Sequence, residues 1–323
     1  MPPDGQTVSV LVPVAVAQPY SYAVPPGMAV APGDIVAVPL GTRDVVGVVW
    51  DDPPDREIGH NRLRAIAEKF EAPPLSKEIR RFVDWVAGYT LTTRGMVLRM
   101  VLRAPGALAP EAPVMGVRRA GPPPERMTPA RARVLARLDE TDGVAWSKSG
   151  LAAAAGVSPG VVDGLVEAGT LAVVAMPAGS AGAVPDLAYG EPRLSAGQAE
   201  AAGAPRAPVA ARRYSVTLLD GVTGSGKTEV YFEAVAATLA AGRQVLILLP
   251  EISLTGQFLE RFAARFGARP GEWHSEAPPR ARERLWRGIA DGRARVVVGA
   301  RSALFLPFRD LGLIVVDEEH DLA

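Results

Sequence analysis

Eight consecutive residues, GVTGSGKT at 221–228, have the composition and spacing of a phosphate cradle. They fit G-x-x-x-x-G-K-[ST], in which closely spaced glycines let backbone amides wrap the phosphates of a nucleotide. In that reading Gly221, Gly224, Ser225 and Gly226 form the loop and Lys227 reaches the β- and γ-phosphates. Thr228 offers its hydroxyl to Mg²⁺. Only four of the 35 basic residues are lysines (Lys69, Lys77, Lys148, Lys227), and one falls where an arginine fork would not serve. A second chemical stretch is LIVVDEEH at 313–320, an apolar run tipped with acids. Asp317 is placed to hold Mg²⁺, Glu318 to orient and deprotonate an attacking water, and His320 to couple the site to its surroundings. Alone, such a cluster is a solvated strand end. Paired with a glycine loop it reads as the second half of a nucleotide site.

These two stretches need a scaffold that brings them together. The run YSVTLLD at 214–220 is expected to be a strand entering the loop. EVYFEAVAATLAA at 229–241, closed by Gly242, is expected to be a helix whose N-terminus faces the phosphate. QVLILLPE at 244–251 and RVVVGARS at 295–302 read as buried strands of the same parallel sheet. Ligands of such sheets bind at strand C-terminal ends. Ser253, Thr255, Arg301 and Ser302 are therefore placed along one edge, where they could hold a nucleic-acid backbone. Residues 261–309 carry eleven arginines against four acids. That is either a solvated basic face or a phosphate-tracking groove.

The 323-residue chain has room for two or three domains. It is 48% hydrophobic and 22% charged, with net charge +0, so nothing global attracts a polyanion. No apolar run approaches the roughly 18 residues a membrane span needs, and the first residues lack a signal-peptide pattern. The absence of cysteine removes disulfides and cysteine-ligated zinc and fits a cytoplasmic protein.

Short β-rich runs at 7–12, 20–24, 34–38 and 44–50, separated by Pro/Gly turns, suggest a small antiparallel barrel or sandwich. Helices are expected around 76–87, with Ser76 as cap, and 95–102. The stretch 105–126, rich in Pro, Gly and Ala, reads as a linker. Three short helices and a trailing strand over 127–178 suggest a winged helix-turn-helix. Its would-be recognition helix carries no arginine or lysine, which points to packing or protein contact more than to base reading. A second small-residue linker spans 179–192. The expected architecture is multidomain α/β: a β-barrel-like domain over 1–104, a winged-helix domain over 127–178 and an incomplete P-loop lobe of RecA type over 193–323.

Several longer runs, namely GVTGSGKTEVY at 221–231, LPEISLT at 249–255, WHS at 273–275, VVGARSALFLPF at 297–308 and DEEHD at 317–321, together resemble the PriA family of bacterial replication-restart helicases (primosomal protein N′). The resemblance runs the length of the chain, from a 3′-DNA-binding domain through a winged helix to the first helicase lobe. It implies ATP- and Mg²⁺-driven 3′→5′ unwinding of forked or single-stranded DNA, with primosome proteins and single-strand-binding protein as partners. LSAGQ at 194–198 is similar to the family's Q motif, which makes Gln198 the adenine reader. By the same resemblance Tyr20, Ser21, Gly41 and Arg64 form the pocket for a DNA 3′ end. Ser21 stands where the family has aspartate, and a serine oxygen accepts without charge-assisted strength. The family continues past the DEEH motif with a zinc module and a second lobe, so the chain is expected to be a fragment with little turnover of its own. A non-catalytic fork-binding scaffold with a structural P-loop, and an unrelated P-loop enzyme such as a kinase, remain open as alternatives.

Overall fold

The computed structural model describes residues 6–55, 63–109, 114–141, 144–176, 184–190, 192–222, 224–250 and 256–318. Ser253, Thr255 and His320 lie outside the described residues. The chain divides into two units, Met1–Ala109 with Ser180–Ala323, and Pro110–Gly179.

In the larger unit, five strands form an antiparallel sheet: β1 (Thr7–Leu11), β2 (Tyr20–Ala23), β3 (Ile35–Leu40), β4 (Arg43–Val49) and β5 (Glu68–Lys69), in the order β2-β1-β4-β3-β5. Strand periodicity sends alternate residues to opposite faces. Val10, Val36, Val38 and Val49 fill one cluster, while Leu11, Ile35 and Val48 enter another. The stretch before β5 touches both edges of this sheet. The Ala23 amide donates to Arg64 O and the Ile66 amide to Ala23 O, and the Ala67 amide donates to Ala37 O. A two-residue hairpin joins Leu40 to Arg43, with Gly41 at φ +65°.

Helix α1 (Lys77–Thr90) starts at Ser76, whose hydroxyl accepts from the Ile79 amide, and buries Ile79, Val83 and Ala87 on one stripe. The buried Arg80 binds both oxygens of Asp51, at 2.7 and 2.9 Å, and donates to Leu75 O. Gly33, at φ +101°, lies against that carbonyl and guanidinium, where a Cβ would come within 2.4 and 2.7 Å of them. The Arg80 hydrogen bonds hold the Asp51 carboxyl below its ordinary 3.8. A depressed folded value adds stability above the unfolded value and loses it as pH falls through the folded one. Asp51→Asn is therefore expected to unfold at lower urea than the parent at pH 7. The gap between the two should close as acid protonates Asp51 in the parent.

A parallel sheet follows, in the order β11-β8-β10-β9: β8 (Gln244–Leu248), β9 (Gly271–Trp273), β10 (Val296–Gly299) and β11 (Leu311–Val316). Helices α7 (Lys227–Ala240) and α8 (Gly256–Phe266) cover one face. There Phe232, Val235, Phe262 and Phe266 pack on Val245, Ile247 and Val298. The other face joins the N-terminal region directly. Leu246, Leu248 and Val297, with Trp286 of α9 (Pro279–Ala290), share one core with Leu11, Ile35, Val83 and Leu98. Leu98 belongs to α2 (Arg94–Val101), and the Trp286 indole donates to Val101 O at 2.9 Å. The β-rich region and the parallel sheet thus share one interior, besides the cluster each keeps on its other face.

The stretch expected to be a linker, 105–126, is partly built into the fold. A 3-10 turn, Pro105–Leu108, packs on α9, and Arg287 donates to the carbonyls of Ala107 (2.7 Å) and Ala109. Ala107 and Leu108 are buried in the shared core, and the backbone acceptors beside them are satisfied by a neighbouring guanidinium. Further on, β6 (Val114–Arg119) pairs antiparallel with β7 (Leu171–Met176) in the smaller unit. Three helices accompany that pair: α3 (Pro129–Asp139), α4 (Lys148–Ala154) and α5 (Pro159–Glu167). They enclose a core of their own, with Val117, Val134, Leu138, Leu151, Leu165 and Leu171. Among the described residues no single helix is long and apolar enough to cross a membrane.

Candidate nucleotide site and DNA-contacting residues

The glycine loop runs into α7 as its spacing requires. Gly226 caps the helix at φ +85°, and Gly224 is at φ +79°. A Cβ on Gly226 would come within 2.4 Å of Gln198 Nε2, which would have to give way, and the left-handed φ itself disfavours any side chain here. Lys227 is the first residue of α7 and its ammonium donates back across the loop to Gly221 O. Gln198 belongs to α6 (Ala196–Ala210). Its Oε1 accepts from the Ser195 amide at 2.8 Å, and its Nε2 donates to Ser225 O at 2.9 Å. Both polar ends of Gln198 thus tie the start of α6 to the loop.

The acid-tipped strand is β11. Asp317 extends its ladder, the Asp317 amide donating to Leu248 O at 3.0 Å. The carboxylate is held at both oxygens: Glu318 N donates to Oδ1 at 3.0 Å and Tyr231 Oη to Oδ2 at 2.9 Å. Thr228 lies one turn before Tyr231 on the same face of α7. The Tyr231–Asp317 hydrogen bond therefore ties the first turn of α7, which carries Thr228, to the end of β11. Burial first, and then the Asp317 charge, push the Tyr231 phenol far above its ordinary value, so it stays a neutral donor. Glu318 has φ +53°, a left-handed conformation costly for a residue with a Cβ.

A hydroxyl and a carboxylate are oxygen ligands, the set a hard cation takes. Among the described residues no three His, Cys, Asp or Glu side chains cluster as a metal cage. An ion here would complete its shell with phosphate oxygens and water, as Mg²⁺ does at nucleotides.

The strand expected before the loop does not form. Residues 214–220 pair with no strand, and Tyr214, Val216 and Leu218 are 94%, 81% and 80% exposed. The alternation is strand-like, but β-propensity expresses fit to a covered pleated surface, which this stretch lacks. Among the described residues no strand pairs with the outer edge of β11, where Ile314 and Val316 are about half exposed.

At the antiparallel sheet, two of the four residues assigned to a DNA 3′ end, Arg64 and Gly41, are in contact. Arg64 donates to Gly41 O at 2.6 Å, and the Arg64 carbonyl accepts from Ala23 at the end of β2. Tyr20 and Ser21 begin β2, and Ser21 Oγ accepts from the Asp55 amide at 2.8 Å. Arg301 and Ser302 open the 3-10 turn Arg301–Phe305 beyond the C-terminal end of β10. Much of the arginine excess between 261 and 309 is spent inside the fold. Arg261 and Arg265 pair with Glu229 and Glu233, Arg293 pairs with Asp291, and Arg287, Arg295 and Arg309 donate to backbone carbonyls.

Two family models match the chain: the PriA 3′ DNA-binding domain over residues 9–103 and the DEAD/DEAH box helicase over 207–323. The replication restart protein PriA of Haemophilus influenzae is 31% identical over 306 residues, which is 88% of this chain and 40% of the relative. The chain belongs to the PriA family. The Synechocystis protein of the same name is 34% identical over 254 residues, covering 78% of this chain and 29% of that protein. The Rickettsia conorii protein is 55% identical over 105 residues, 32% of this chain and 16% of the relative. The chain therefore spans less than half the length of each of these family members.

Tyr231 closes the run GVTGSGKTEVY, but the motif assigns it no role. The available signal was its three-residue spacing from Thr228, which places both on one helix face.

Proposed function

We propose that this chain is the DNA-binding and first motor portion of an ATP-dependent 3′→5′ helicase acting in replication restart. The supporting observation is the hydrogen bond from Tyr231, one turn after Thr228 on α7, to Asp317, which brings the N-terminal turn of α7 to the end of β11. In this reading Gly221, Gly224, Ser225 and Gly226 wrap the phosphates and Lys227 leaves Gly221 O to bind them. Thr228 and Asp317 hold Mg²⁺, which when bound neutralises phosphate charge. Glu318 orients the attacking water, with His320 adjacent, and Gln198 carries the nucleobase contact from α6. Tyr20, Ser21, Gly41 and Arg64 receive a DNA 3′ end, while Ser253, Thr255, Arg301 and Ser302 contact the strand along the parallel sheet. The domains are 1–104 for 3′-end binding, with its sheet closed as a small barrel, 127–178 as a winged helix and 193–323 as the motor lobe. Primosome proteins are the expected partners, in a soluble cytoplasmic setting.

Titration of the chain with a fluorescent ATP analogue, with and without Mg²⁺ and with and without a forked DNA bearing a 3′ end, tests this reading. Mg²⁺-dependent binding that the fork tightens is expected. No binding in Mg²⁺ overturns the nucleotide site, and binding indifferent to DNA overturns the helicase assignment.

A further inference from the structure

The geometry points to Tyr231 as a positioning residue for magnesium: its hydroxyl fixes the Asp317 carboxylate in the orientation that lets Asp317 and Thr228 serve one ion. The inference rests on the nucleotide-site reading above and adds a residue to it.

The simpler account of Tyr231 is that of a core residue satisfying its own hydroxyl. Its ring is buried and packs edge-on against Phe232 at 5.3 Å, and a buried phenol normally finds a partner. Packing explains why the ring sits where it does. It does not explain the partner. The hydroxyl leaves the apolar cluster at the one carboxylate that ends β11. That carboxylate is already held on its other oxygen by the Glu318 amide. Two donors on two oxygens stop the Asp317 carboxylate from turning about its terminal torsion. Without the phenol, one anchor remains and the group can swing.

The phenol does not block a metal. Each carboxylate oxygen can accept more than one hydrogen bond or ligand, so Oδ2 keeps capacity beside Tyr231. Thr228 lies one turn earlier on the same face of α7, so holding the carboxylate against the phenol also sets its spacing from the Thr228 hydroxyl. Groups that orient a metal ligand from behind it commonly matter about 10–100-fold in metal affinity.

Tyr231→Phe tests this, since it removes the hydroxyl and keeps the ring. Binding of a fluorescent ATP analogue to the full chain is measured in Mg²⁺ and in EDTA, alongside Asp317→Asn and the double variant. The expected result is about a tenfold loss of the Mg²⁺-dependent gain in affinity with Tyr231→Phe, with EDTA binding unchanged. In the Asp317→Asn background the second change should have no further effect, because the tyrosine acts through the carboxylate. A matched thermal melt reports the fold, and Tyr231→Met carries the same expectation should the phenylalanine variant misfold. Equal losses with and without Mg²⁺, an unchanged Mg²⁺ response, or additive effects in the double variant would each overturn the proposal. A parent chain that binds nucleotide without any Mg²⁺ dependence also overturns it, while leaving the phosphate loop standing. A parent that binds no nucleotide removes the site reading itself.

Discussion

Lys227→Ala should cost about 10–100-fold in affinity for the ATP analogue, since a hydrogen bond to a charged partner contributes about 1.5–3 kcal/mol. The expected loss comes from position as well as charge. Lys227 opens a 14-residue helix immediately after a left-handed Gly226, so its ammonium adds to the positive end of the helix dipole. Its present partner is a loop carbonyl, Gly221 O, which lies within the turn a phosphate would occupy. Exchanging that neutral acceptor for an anion is what makes nucleotide binding favourable. Lys227→Arg should restore little, because a planar fork cannot replace a compact ammonium inside a tight loop. The fold should not suffer, as among the described residues the Lys227 ammonium bonds the loop alone. Calorimetric titration with a melt of each variant would check both halves. An alanine variant that binds like the parent would remove the phosphate loop from the site.

The second large effect is on stability. Trp286→Ala should destabilise the larger unit by about 3–5 kcal/mol, the usual range for deleting a large aromatic from a core. Trp286 is 1% exposed and sits in the cluster shared by the parallel sheet, α1 and α2. Its indole N–H is also the donor to Val101 O, so the substitution leaves both a void and an unsatisfied buried carbonyl. Urea unfolding followed by fluorescence from the remaining tryptophans would measure the shift. Because the same cluster includes Leu11 and Ile35, the β-rich region and the parallel sheet should lose structure in one transition. The smaller unit has its own core and should melt independently of the substitution. Separate transitions for the two sheets, or a loss under 1 kcal/mol, would contradict the shared interior.

The sequence was most readable where local pattern and burial agree. The β1–β4 runs alternate valines between turn residues, and the structure places strands there. Ser76 announced a helix start because a cap is a local device, and its hydroxyl accepts from the amide three residues on. The glycine loop was equally local. What failed depends on partners distant in sequence. Nothing in 105–109 reveals that Arg287 will satisfy its carbonyls, so small residues suggested a free linker. The apolar alternation at 214–220 suggested a strand, but a strand also needs a neighbouring edge, which no local pattern supplies. The arginines of 261–309 looked like a basic face, whereas Arg261 and Arg265 answer Glu229 and Glu233 some thirty residues earlier. Tyr231 was concealed by its helix: an aromatic on an apolar stripe looks like packing until the carboxylate 86 residues away is seen beside it.

The bare side of β11 has a practical consequence for anyone handling the protein. A strand edge with no neighbour among the described residues is a template, and the greasy 214–218 stretch of another molecule is a ready recruit for it. Concentrated stocks should therefore self-associate through intermolecular ladders, light scattering rising with protein concentration. A lysine at Val316 would suppress the effect by placing charge where the incoming strand must dock.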